Sequence, residues 1–376
     1  MAKIKSRKDL TFYEKQLSTL YQDLDKDLYH LLMTEIELGR NFTDTQGMIK
    51  EINKVLRKYG VKLNKWAEEA TGDLFLQGAV VAYKQIKGRD ASLPDIALMK
   101  KHHTKAIKLV TKNLKRTFDD SLAMIGRQKK DVYRELGLIS TAKKYAHNMT
   151  YSEQSNYFKH MASELGYSRI PFVKNPKMSM RVDPYAKLIA RTTTAEISNQ
   201  ARIDEGIRLE NYLVSMSEHH TPCKECAKVE GRVFRVVNED ELPKDMTAED
   251  KVNILAFPHI REACKDWPTY KTVHPNCRHR FNIYVLELKL DETIAEDKKR
   301  SNRPFVDERS QAQIDEYDKS QEENRKRWRD RREWEKYKES GMDVPSFSGF
   351  RQMKKHNSVN YKQLKAGFHG LVDLIE

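Results

Sequence analysis

Across 376 residues, 69 Lys and Arg exceed 55 Asp and Glu by 14, with 39% hydrophobic residues and a mean hydropathy of −0.78. That balance is too apolar for wholesale disorder, and with only 15 Gly and 11 Pro it excludes a turn-rich sandwich or barrel in favour of long helices in two or three units. The positive surplus favours polyanionic partners such as nucleic acid, without implying that a sequence is read.

In chain order, Leu10, Tyr13, Leu17, Leu20, Leu24, Leu28 and Leu31 recur at three- and four-residue steps and predict an amphipathic first helix. A second helical stretch runs from Ile49 to Ile86, and after Pro94 a third from Asp95 to about Leu136. Residues 84–116 carry ten basic and two acidic side chains. Within them Lys101, Lys105, Lys108, Lys112 and Lys115 repeat in a 4-3-4-3 rhythm, one cationic helix face opposite Ile96, Ile107, Val110 and Leu114. Such a face is either simply solvated or a contact for DNA phosphates or an acidic protein.

Residues 169–183 hold two prolines and read as a linker or an extended crossing. Asp183-Pro184 then starts a helix expected to reach about Asn211. Three short strands follow, at Tyr212–Met216, Arg232–Val237 and Arg280–Leu286. Beyond Lys289 the chain reads as a charged helix. Its Glu296–Glu339 stretch has fourteen basic and thirteen acidic residues, and Arg325, Lys326, Arg327, Arg329, Arg331 and Arg332 cluster around Trp328. From Val344 on, apolar residues return (Phe347, Phe350, Leu364, Phe368, Leu371, Val372, Leu374, Ile375) and predict docking onto this chain or a neighbour. The fold class expected is mainly α with a small central α+β domain. Its divisions are an N-terminal helical bundle over 1–180, the α+β domain over 181–288, and a helical tail over 289–376.

All four cysteines fall between Cys223 and Cys277, in a chain with no export signal at its basic start, so metal ligation outweighs disulfides. Cys223-Lys-Glu-Cys226 is a C-x2-C knuckle, and His274-Pro-Asn-Cys277-Arg-His279 follows after 47 residues. Two donors from each of two tight turns suit a tetrahedral structural zinc site formed by Cys223, Cys226, His274 and Cys277. His279 is an alternative last ligand and Cys264 a reserve. His219 and His220 stand just before the knuckle, where they can support the ligands or remain on the surface. Loop closure grows only logarithmically more costly with length, so the gap is no obstacle.

Catalytic alternatives are weaker. A zinc deaminase needs an upstream H-x-E or C-x-E, and the only C-x-E, Cys223-Lys-Glu225, lies inside the knuckle. No G-x-x-x-x-G-K-[ST] loop or G-x-S-x-G elbow occurs. A metal nuclease using His259, His274 or His279 as base lacks an obvious carboxylate cluster for magnesium.

The succession Arg191-Thr-Thr-Thr-Ala-Glu196-Ile-Ser-Asn199-Gln-Ala-Arg202, the knuckle, Gly231-Arg-Val-Phe234 and the His274–His279 turn resembles the minor head (minor capsid) proteins of tailed bacteriophages, the Mu F-like group. The similarity covers about residues 185–287, and the ending in His279 also resembles a related minor capsid branch. The resemblance implies a virion component rather than an enzyme, made in the host cytoplasm and housed inside the head. It implies association with the portal, with capsid or scaffold protein and, non-specifically, with double-stranded DNA. It also implies that Arg191 and Glu196 organise the central domain. The alternative function is a metal-dependent nuclease or a toxin-like effector carried in the virion.

Overall fold

The computed structural model describes residues 10–38, 44–146, 151–167, 169–172, 175–265, 267, 272–275 and 277–373. The basic start Met1–Arg7, Asn276 and the tail residues Leu374 and Ile375 lie outside them. The architecture is mainly α with a small α+β element, as the periodicity predicts. Helices α1 (Leu10–Glu37), α2 (Thr45–Lys87) and α3 (Leu93–Ala146) match the three predicted stretches, and α3 continues past the predicted end. Along α1, Tyr13, Leu17, Tyr21, Leu24, Leu28, Leu32 and Ile36 form the buried stripe. Leu20 and Leu31, on its flanks, are half-buried.

Helix α4 (Tyr151–Glu164) is followed by an antiparallel pair, β1 (Arg169–Phe172) and β2 (Asn175–Arg181), with Ile170 opposite Met180 and Pro171 opposite Ser179. The linker reading of this segment is therefore corrected to a hairpin. Its prolines are tolerated because both strands of a two-stranded sheet are edges and need not donate at every position. Helix α5 spans Val182–Arg208. The three predicted strands form as β3 (Leu213–Met216), β4 (Val233–Arg235) and β5 (Phe281–Ile283) in the order β4-β3-β5. Short helices α6 (Lys224–Ala227) and α7 (Ala248–Leu255) interrupt them, and α8 (Asp291–Ser301), α9 (Gln311–Glu339), α10 (Phe347–Lys355) and α11 (Val359–Asp373) complete the chain.

These elements form two compact units, each assembled from three stretches of sequence. One contains residues up to Thr19, Leu63–Thr117 and Ala186–Tyr317, and so includes the three-stranded sheet and its apolar core of Val214, Phe234, Phe257, Ile260 and Phe281. Here α2 and α5 approach so closely that a Cβ on Gly78 would lie 2.7 Å from Ala201 Cβ and from the Ser198 carbonyl oxygen. Side chains of the two helices close the free edge of β5. Asn199 Oδ1 accepts from the Phe281 N–H at 3.2 Å, Gln85 Oε1 from the Ile283 N–H at 3.0 Å, and Arg202 donates to the Phe281 carbonyl at 2.9 Å. The outer edge of β4 is closed in turn by Ser301 Oγ, 2.9 Å from the Val233 nitrogen, and by the Pro258 carbonyl, 3.0 Å from that of Arg235. With both edges satisfied, three strands suffice for a stable sheet.

The second unit contains Leu20–Lys62, Phe118–Tyr185 and Asp318–Glu376. Its interior holds a charge: fully buried Lys129 lies 2.9 Å from Asp25 Oδ1, donates to the Tyr167 carbonyl, and sits 4.3 Å from the Tyr167 ring centroid. In the same unit α10 and α11 fold back on α9, burying Tyr337, Phe350 and Phe368 together with Trp334 and Leu364. The apolar tail thus docks on this chain. Among the described residues no helix is long and apolar enough to cross a membrane.

Candidate metal centre

The pairing of β3 with β5 brings the two cysteine turns together. Met216 lies opposite Phe281, and past that pair the Ser217 N–H donates to the Arg280 carbonyl at 3.0 Å, while the Arg280 N–H donates to Ser217 Oγ at 3.0 Å. The chain leaves β3 into the knuckle and enters β5 from the His274–His279 turn, so both turns stand at one end of the sheet. Gly231 closes the return from the knuckle with φ 64°, where its N–H donates to the Met216 carbonyl at 3.1 Å; a side chain would strain that left-handed backbone.

At this end five donors converge in two triads that share Cys226: Cys223, Cys226 and His274, and Cys226, Cys277 and His279. His274 Nε2 lies 3.2 Å from Cys223 Sγ and 3.1 Å from Cys226 Sγ. The Cys226 and Cys277 sulfurs are 3.7 Å apart, and His279 Nδ1 is 3.5 Å from Cys277 Sγ. Tetrahedral zinc with Zn–S of about 2.3 Å and Zn–N of about 2.0 Å sets sulfurs roughly 3.8 Å apart and sulfur and nitrogen roughly 3.5 Å apart. Each triad therefore could hold a metal ion, but among the described residues no four donors lie within 4.8 Å of one another, so a tetrahedral site needs the two triads to close further around Cys226.

Both imidazoles are oriented from behind. The other ring nitrogen of His274, Nδ1, lies 2.7 Å from the Pro275 carbonyl, and His279 Nε2 is bonded to Glu230. A ring nitrogen that donates outward leaves its partner's lone pair facing the sulfurs, the arrangement by which outer groups commonly hold metal-ligating histidines. Glu230 Oε1 also accepts the His219 N–H at 3.0 Å, and the His219 ring meets His279 edge-on at 4.3 Å between centroids.

The electrostatics are those of a tight thiol–imidazole cluster. Bonds from Cys226, then His274, push Cys223 down to about 3, and bonds from Cys226, then His279, push Cys277 down to about 4. Bonds to Cys223 and Cys277, with burial, push Cys226 up and keep it a thiol. The Cys223 thiolate raises His274 to about 9. For His279, burial alone would lower the value, but Cys277 and Glu230 outweigh it and raise it to about 9. Metal entry displaces such protons, so binding at this cluster is coupled to proton release.

The segment after α8 is tied to the knuckle. Arg309 donates to the Pro222 carbonyl at 3.3 Å, Gln313 to the His220 carbonyl at 3.4 Å, and His220 Nδ1 lies 3.6 Å from Glu316. Arg232 bonds the Pro304 carbonyl at 3.0 Å, which pins the same segment to the start of β4. The reserve ligand Cys264 is elsewhere, fully buried in the apolar core with Phe257 and Ile260. His259 is also occupied: its Nδ1 accepts the Arg261 N–H at 3.0 Å and so caps a short 3₁₀ turn. Burial, with Arg235 and Arg261, lowers it to about 4.

The cationic candidates are split between the units. In the first unit Lys101, Lys105, Lys108 and Lys112 are exposed on α3, whereas Lys115 is half-buried and paired with Glu68. In the second unit Arg325, Lys326, Arg327, Arg329 and Arg332 are exposed on α9, with Arg325 and Arg329 paired to Glu322. Arg331 is engaged in packing: it bonds Glu335 at 2.8 Å and lies 4.7 Å from the Trp334 ring and 4.9 Å from the Phe347 ring.

Sequence reasoning missed Glu230, whose carboxylate stands behind His279 from 49 positions away, and Arg309. It quoted Asn199 and Arg202 without their task of closing the sheet edge. Arg191 and Glu196 lie half-buried on the same helix.

The model of the family phage minor capsid protein 2 matches residues 7–366 of this chain. The chain belongs to that family. It is thus a structural protein of the phage virion, and the match extends the resemblance from the central motifs to nearly the whole sequence. The match is to minor capsid protein 2, and it bears out the minor capsid class of the resemblance without reaching the Mu F-like group. No curated protein and no solved structure matches the chain.

Proposed function

We propose that this minor capsid protein works inside the phage head near the portal vertex, where it helps assemble the head and package or deliver DNA. Its partners in this reading are the portal protein, capsid or scaffold protein, and double-stranded DNA held without sequence preference. The observation that carries the reading is the family match over residues 7–366, and the cationic faces of α3 and α9 support the contact with DNA. Within the protein, Cys223, Cys226, His274 and Cys277 would hold Zn²⁺, with His279 the alternative last ligand. Three thiols and an imidazole favour zinc over the hard cations Mg²⁺ and Ca²⁺. Four protein ligands leave no position for an activated water, so the ion's contribution is to the folding of the sheet end.

Gel shifts of the zinc-loaded chain on random double-stranded DNA test the DNA contact. With 6–10 phosphate contacts, affinity should fall by about 10³–10⁵ between 50 and 200 mM salt. Binding that ignored ionic strength, or DNA cleavage dependent on Mg²⁺ or Mn²⁺ and abolished by His274→Ala in a folded protein, would overturn the structural reading in favour of a nuclease.

A further inference from the structure

Away from the metal centre, the first unit carries an uncompensated run of charge on α3. From Ile96 to Phe118 that helix has seven Lys and Arg residues and no Asp or Glu. At about 100° and 1.5 Å per residue, Lys101, Lys105, Lys108, Lys112 and Arg116 fall within an arc of about 80° and extend over about 22 Å. All five are exposed, and none makes an ion pair or a side-chain hydrogen bond with any described residue. Lys115, at the edge of the arc, is the exception, paired with Glu68 of α2. Cations one turn apart repel, so the face weakens the helix unless an anion lies along it. The opposite side of the helix is anchored. Met99 and Leu114 are buried there, and His103, 3% exposed, lies 2.7 Å from Glu205 Oε2 on α5. The five charges therefore stand on a fixed rod, already in line.

The basic cluster of α9 differs in kind. That helix has nine Lys and Arg residues against nine Asp and Glu, a net charge of zero. Arg325 and Arg329 share Glu322, and Arg331 is bonded to Glu335, so neutralisation comes from within the helix. A polyanion approaching α9 meets acids as well as bases and releases few counterions.

We infer that the outer face of α3, and not that of α9, carries the contact with double-stranded DNA, its five cations lying along the phosphate backbone. The inference rests on the DNA contact proposed above and assigns it to one surface. A protein partner would need an apolar centre to its contact, and lysine is depleted from such centres. The large apolar side chains exposed beside the arc, Leu98 and Leu109, stand about 16 Å apart along the helix and form no such centre. A duplex backbone presents a negative charge about every 1.7 Å and asks only for cations in line. Compact ammonium groups on flexible stems meet phosphates at any register, which leaves the contact without sequence preference.

Fluorescence anisotropy of a labelled random-sequence duplex, titrated with the full chain between about 50 and 200 mM salt, tests the assignment. Lys105→Gln, Lys108→Gln and Lys112→Gln together should weaken binding at least tenfold and flatten the salt slope by about 3. Lys326→Gln, Arg327→Gln and Arg332→Gln together, on α9, should change neither. Both triple variants should melt with the wild type, since all six side chains are exposed. A wild-type chain that binds no duplex would overturn the DNA reading and this inference with it. Wild-type binding that survives the α3 substitutions, or that falls equally with those on α9, would overturn the inference alone. Poly-glutamate competing more strongly than DNA at equal charge would make an acidic protein the occupant of the face and overturn the assignment to DNA.

Discussion

Replacing Cys226 by alanine removes the donor that both triads share, and the four donors left fall into two pairs, Cys223 with His274 and Cys277 with His279, that no common ligand joins. Cys226 is 2% exposed and its sulfur lies 3.1 Å from His274 Nε2 and 3.7 Å from Cys277 Sγ, so the substitution acts at the centre of the cluster. Metal bound only by the folded state adds RT ln(1 + [L]/Kd), about 4 kcal/mol at a thousandfold excess over Kd. For a unit of this size each kcal/mol moves Tm by about 2–4 °C, so the loss corresponds to roughly 8–16 °C. Elemental analysis should find about one zinc per wild-type chain and none in Cys226→Ala, and a chelator should bring the wild type down to the variant's melting temperature. Hydrogen exchange localises the effect, with faster exchange expected at the Ser217 and Gly231 amides that join the turns to the sheet. Cys264→Ala is the control: its thiol lies in the apolar core, so metal content should be retained. A Cys226→Ala protein that keeps its zinc, or a wild type whose melting ignores the chelator, would refute the argument that metal binding is folding energy here.

Three further outcomes are expected. His274→Ala should release the metal while His279→Ala retains one equivalent with reduced affinity, and the reverse order would make His279 the fourth ligand. His259 has a folded value of about 4 against about 6.5 unfolded, so the unfolded chain takes the proton first and stability falls as pH drops from 6.5 to 4. His259→Asn, which can keep the cap through Oδ1 but does not titrate, should flatten denaturant-measured stability over that window by at most about 3 kcal/mol; an unchanged slope would remove the histidine as its cause. Lys129→Ala leaves Asp25 and the Tyr167 carbonyl without their buried partner and should cost about 3–5 kcal/mol in urea unfolding, whereas Lys129→Met should cost markedly less. Equal losses for the two would show that the lost charge and its bonds, rather than the aliphatic stem, are what matters there.

The helices and the chemistry of the donors were legible in the sequence because both are local properties. The 3.6-residue period of α1, the lysine rhythm of α3 and the C-x2-C spacing follow from backbone geometry within a few residues. The association of 223–226 with 274–279 depended instead on which strands pair: the Met216–Phe281 register, with the Ser217 and Arg280 bonds beyond it, closes the 47-residue gap. Only tertiary structure placed Glu230 behind His279, put Asn199 and Arg202 on the open edge of β5, sent Cys264 into the core, and turned residues 169–181 into a hairpin. It likewise chose this chain over a neighbour as the surface for Phe350 and Phe368, and drew Arg331 into packing while its exposed neighbours remained at the surface. Each of these is a contact between residues distant in sequence, set by hydrogen bonds and burial across elements, and no spacing within one element encodes it.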